Sequence, residues 1–89
     1  METVEDIENV VDKFLKNSVV DRGWRILDSH YNHVRNICIS ILSTKYKLGH
    51  PGGSFVQSIV NNDLMGSFGC ADNINSKYIK LYVELLYNV

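Results

Sequence analysis

The chain has 89 residues, 45% of them hydrophobic and 21% charged, with a net charge of -1. That length fits one helical domain over residues 1–89. The composition is ordinary for a globular protein and does not indicate disorder, and the near-neutral charge removes the electrostatic case for gripping duplex nucleic acid. So small a domain buries a modest core, and self-association, which would bury more apolar area, is expected.

Val4, Ile7, Val10, Val11, Phe14 and Leu15 recur at helical spacing, with Glu5, Asp6, Glu8, Asp12, Lys13 and Lys16 on the other side. Thr3 is placed to cap this helix, and the acids of the first turn suit its dipole. The spacing predicts a helix over 4–17. An acidic amphipathic start is unlike a signal peptide. Asn17 to Gly23 breaks the pattern, and Val19-Val20 reads as an anchor onto the core. Arg22-Gly23-Trp24-Arg25 then reads as a turn. Its Trp24 can stack on a base or a partner; the plainer role is to plug a small core or seal an interface.

Asp28 or Ser29 can cap a second helix that runs to about Lys47, with Val34, Ile37, Cys38, Ile41 and Leu42 as its buried stripe. Ile39 falls off that stripe, which implies burial on two sides or a face turned to a second subunit. The β-branched residues make a strand through 37–42 the rival reading, but length and period favour a helix. The run 37–42 is too short to span a bilayer. Cys38 and Cys70 are the two cysteines, and they read as reduced thiols in a cytosolic protein.

Gly49-His50-Pro51-Gly52-Gly53-Ser54 follows. Gly49 suits a C-terminal cap, Pro51 ends what precedes it, and Ser54 can cap the next helix. Phe55, Val56, Ile59, Val60, Leu64 and Phe68 share helical spacing, with Met65 beside them, so one helix is expected to about Phe68. Asp72 or Asn73 can cap a last helix to about Tyr87. Ile74, Tyr78, Leu81, Tyr82 and Leu85 make one stripe there, and Ile79, Val83 and Leu86 a second. Two apolar stripes again imply an oligomer or several neighbouring helices. The expected fold is all-α, a bundle of about four short helices.

Chemistry is concentrated at the central turn. Unpaired amides at a helix start, with glycines that admit close approach, can hold a phosphate, and His50, Lys45 and Lys47 can add positive charge. The plainer alternative is a helix-to-helix connection. The stretch is not a P-loop, because no lysine follows the glycines in the required place. On one helix, Phe55, Ile59, Asn62 and Asp63 would share a face. A ring beside an amide and a carboxylate suits a nucleobase, and Asp72 and Asn75 can close the far end. Arg22 or Arg25 can neutralise charge from a neighbouring subunit. His30 and His33 have a spacing that can ligate a metal, but no further ligand is evident, so surface residues are the better reading. No nucleophile elbow, zinc motif or paired acids point to an enzyme. Neither a metal nor a cofactor is expected.

Pro51-Gly52-Gly53-Ser54-Phe55, Asn62-Asp63-Leu64, Ala71-Asp72 with Asn75, and Tyr82 to Tyr87 together resemble a group of small phage-encoded accessory proteins of largely unknown function. Those proteins carry a Pro-Gly-Ser-Phe-Leu turn, an Asn-Asp-Leu and an Ala-Asp-x-x-Asn at similar spacings. This chain departs from them at the extra or substituted glycine before Ser54. The resemblance implies an accessory protein in the host cytoplasm that acts by stoichiometric binding. The first expectation is a non-catalytic oligomer that sequesters a nucleotide-derived immune signal, a cyclic nucleotide or ADP-ribose relative. Its site would comprise His50, Pro51, Gly52, Gly53, Ser54, Phe55, Asn62, Asp63 and Asp72, with Arg22 and Arg25. The alternative is a protein–protein inhibitor or scaffold that blocks a host protein through Trp24 or the tyrosine-rich last helix.

Overall fold

A reciprocal cap starts the first helix. The Asp6 amide donates to Thr3 Oγ1 at 3.1 Å, and the Thr3 amide donates to Asp6 Oδ2 at 3.3 Å. The computed structural model describes residues 3–49 and 52–89, with the side chain of Leu64 also left out. His50 and Pro51 therefore lie outside the described residues. Helix α1 spans Val4–Asp21, four residues beyond the expected end. Ser18 continues the inner stripe of Ile7, Val11, Phe14 and Leu15, so a small polar residue on the buried face hid the period. Val19 and Val20 are 43% and 69% exposed and do not anchor to the core. Gly23 ends the helix at φ +73°, where the Trp24 amide donates to the Ser18 carbonyl.

Helix α2 spans Asp28–Lys45 and is a helix through 37–42, not a strand. Leu27, not Asp28 or Ser29, holds the cap position. Its amide donates to the Tyr78 hydroxyl at 3.4 Å, a partner far along the chain. The helix stops at Lys45. Lys47 takes the left-handed conformation at φ +57°, and the Lys47 and Leu48 amides return to the Thr44 and Ser43 carbonyls. The cap is thus a Schellman motif on Lys47 and not on Gly49.

The largest departure follows the central turn. In place of one helix to Phe68 there are two, α3 over Ser54–Val60 and α4 over Leu64–Cys70. Asn62 adopts φ +59°, and the Asn62 and Asp63 amides bond back to the Ile59 and Ser58 carbonyls. Asp63 then caps α4 through Gly66 N, 2.9 Å away. Asn tolerates the left-handed region better than most residues, so the helix turns a corner inside a continuous apolar pattern. The last helix is divided as well. Asp72 accepts from Asn75 N at 2.6 Å ahead of a 3-10 turn over Asn75–Lys77, and α5 begins afresh over Ile79–Asn88.

The fold is therefore all-α. Helix α2 lies between α1 and α3 and also touches α5, while α3 packs on α4. Ile7, Val11, Leu15, Val34, Ile41, Leu42, Leu81 and Leu85 are fully buried at its centre. The radius of gyration is 12.1 Å, the value expected for a compact chain of this length. No helix among the described residues is long and apolar enough to cross a membrane.

Candidate protein-binding face

The expected nucleotide site does not assemble around Phe55. Its ring is only 7% exposed and stands edge-on to Tyr82, with centroids 5.7 Å apart. It offers no free face to a base. The Gly52 amide donates to Thr44 Oγ1 at 2.9 Å, so it is not open to an anion. The glycine is required for another reason. A β-carbon there would lie 2.6 Å from both Ser40 Oγ and Val56 Cγ1, so Gly52 lets the turn press against α2 and α3. Gly53, not Ser54, occupies the N-cap of α3, and Ser54 is its first helical residue.

The other expected site residues are dispersed. Asn62 and Asp63 left the helix at the corner, and the Asp63 carboxylate is engaged by the α4 amide. Arg22 lies 4.0 Å from Glu84 and covers the Phe14 ring at 5.8 Å. Arg25 is exposed. Trp24 is partly buried against the core and donates from Nε1 to Glu84 Oε1 at 2.7 Å, so it plugs rather than protrudes.

Asp72 belongs instead to a polar seam that sequence reading did not anticipate. Asn75, 5% exposed, accepts at Oδ1 from the buried Tyr82 hydroxyl at 2.9 Å and lies 3.0 Å from His33 Nε2. Since that amide oxygen only accepts, His33 donates from Nε2. His33 also lies 3.6 Å from Asp72 Oδ2. His30 pairs with the Tyr78 hydroxyl at 3.0 Å. The two histidines, read from the sequence as surface residues, are thus clamps between α2 and the segment preceding α5. No cluster of three or more His, Cys, Asp or Glu suited to a metal occurs among the described residues. Burial pushes the Tyr82 phenol well above its ordinary value, and pushes the Cys38 thiol up to about 12.

By fixing the start of α5, the seam sets which side of that helix faces out. Ile79, Leu81, Tyr82 and Leu85 point inward. Val83 is 40% exposed and Tyr87 90%. Of the second stripe seen in the sequence, Val83 and Leu86 form the floor of an open groove along α5, which the mostly buried Ile79 only edges. One cleft, of about 320 Å³, has Lys45, Val60, Val83, Leu86 and Tyr87 in its walls together with Asn62, one of the expected ligand residues. The next, of about 440 Å³, is bounded by Phe68, Lys77, Ile79, Lys80 and Val83. A small cavity under the Asn62–Asp63 corner also reaches Val83. The corner before α4 turns Phe68 outward to 56% exposure and Met65 to 87%. As a continuation of α3, Phe68 would have stayed in the core stripe.

The sequence signals for this face were the second stripe of α5 and the misplaced Phe68, but neither told inside from outside. Comparison with protein-family models, curated proteins and solved structures finds no match to this chain.

Proposed function

We propose that this chain is a non-catalytic binding protein that acts by covering part of another protein with the groove along α5. The observation that carries this reading is the pair of open, largely apolar clefts that share Val83, flanked by Phe68 and Tyr87. Contiguous exposed apolar surface of this kind on a small protein marks a contact surface, and aromatic side chains of this type anchor interfaces. The resemblance to phage accessory proteins supports a host protein as the partner and the host cytoplasm as the setting. Stoichiometric action is supported by the chemistry of the groups available. Cys38 is buried and held protonated, and the histidines are engaged in the seam. Sequestration of a nucleotide signal is supported less well, because Phe55 would have to leave the core to meet a base.

The test is a side-by-side capture from host lysate with the intact chain and with Val83→Glu, matched for folding by circular dichroism. A partner retained by the first and lost by the second in equimolar amount is the expected result. Calorimetry with cyclic nucleotides and ADP-ribose derivatives provides the counter-test. Binding of a nucleotide that is unaffected by Val83→Glu, with no protein retained, would overturn the proposal.

A further inference from the structure

Resting on the protein-binding reading, we infer that the segment this groove accepts is a short amphipathic helix with an apolar stripe and acidic ends. The groove runs from Ile79 to Tyr87, about 12 Å at the helical rise. That is a little over two turns, enough for anchors at i, i+3 or i+4, and i+7 of a docked helix. The charged residues that line the two clefts are all lysines. Lys77 and Lys80 stand at the start of the channel and Lys45, which also donates from Nζ to the Val89 carbonyl at 3.4 Å, at its end. Asp63 keeps its negative charge but lines only the small corner cavity and neither cleft, and its carboxylate accepts from Gly66 N. Acidic residues flanking an apolar stripe would meet lysines at both ends.

The same charges argue against a second copy as occupant. Antiparallel packing of α5 on α5 brings Lys77 and Lys80 of one copy toward Lys45 of the other, and parallel packing brings like lysines together. The acidic helix of this chain, α1, has its apolar stripe buried, with Ile7, Val11 and Leu15 fully covered. A lipid surface would need a convex apolar face, whereas this one is a groove, bounded by α2, α3 and α5 at its Tyr87 end and by α4, the 3-10 turn and α5 at its Phe68 end.

The experiment uses the full chain and two fluorescent helical peptides of about 14 residues with one apolar stripe, one acidic at both ends and one basic. Anisotropy should show the acidic peptide binding at least about tenfold tighter, with the gap closing as salt rises from ~50 to ~500 mM. Val83→Glu should abolish binding with the melting temperature unchanged. Lys77→Glu combined with Lys80→Glu should reverse the preference. Equal binding of both peptides would overturn the inference while leaving the protein-binding reading intact. So would a dimer in sedimentation that Val83→Glu disperses. Cosedimentation with anionic phosphatidylglycerol vesicles in place of peptide binding would overturn both. Binding to none of these would overturn the inference, and the lysate comparison would decide the broader reading separately.

Discussion

Removing the Asn75 side chain tests the polar seam most directly. Tyr82 is fully buried, and its hydroxyl donates to Asn75 Oδ1 at 2.9 Å. Asn75→Ala leaves that hydroxyl without its acceptor inside the core, which costs about 1–3 kcal/mol. His33 is partly exposed, so water can replace its lost bond at little cost. Tyr82→Phe removes the donor but leaves Asn75 paired with His33, at about 0.5–1.5 kcal/mol. In the double variant no orphan remains, so its cost should fall short of the sum of the two by about 1 kcal/mol. Urea unfolding followed by circular dichroism measures all four proteins. In thermal melts each kcal/mol corresponds to about 4–8 °C for a domain of this size. Additive effects within about 0.4 kcal/mol would refute the claim that Tyr82 and Asn75 depend on one another.

Gly52→Ala should destabilise the fold by about 1–3 kcal/mol through overpacking against Ser40 and Val56. A melt unchanged from the parent would show that the turn does not press on α2 as described. Ser18→Ala should stabilise the protein by about 1 kcal/mol, because Ser18 Oγ is buried with no hydrogen-bond partner among the described residues and alanine favours the helix; a loss of stability in urea unfolding would contradict this. The Arg35 guanidinium, bonded to Asp12 at 2.7 Å, holds the Asp12 carboxyl below its ordinary 3.8. A depressed folded value means the contribution is present above the unfolded value and fades as pH falls through the folded one. The stability difference between the parent and Asp12→Asn should therefore be small, present at neutral pH and gone in strong acid. A difference that grows on acidification would reverse the assignment.

Local physics carried much of the fold into the sequence. The Thr3 cap and the α1 stripe from Ile7 to Leu15 depend on residues within one or two turns, and they stand where the pattern indicated, while Val4 of the same pattern is exposed. The inner stripes of α2 and α5 did as well, since burial repeats with the helical period. Asn62 shows where that reasoning stops. The apolar pattern runs through it unbroken, yet its left-handed backbone divides the helix, turns Phe68 out and leaves Phe55 in.

Periodicity alone therefore determined a helical domain with a last helix apolar on two sides. Which of those sides faces water was decided only in three dimensions. The seam joins His33 to Asn75 and His30 to Tyr78 across more than forty residues of chain. The spacing of neighbours along a helix carries no trace of a contact made at that separation, and it is those contacts that orient α5 and open its groove.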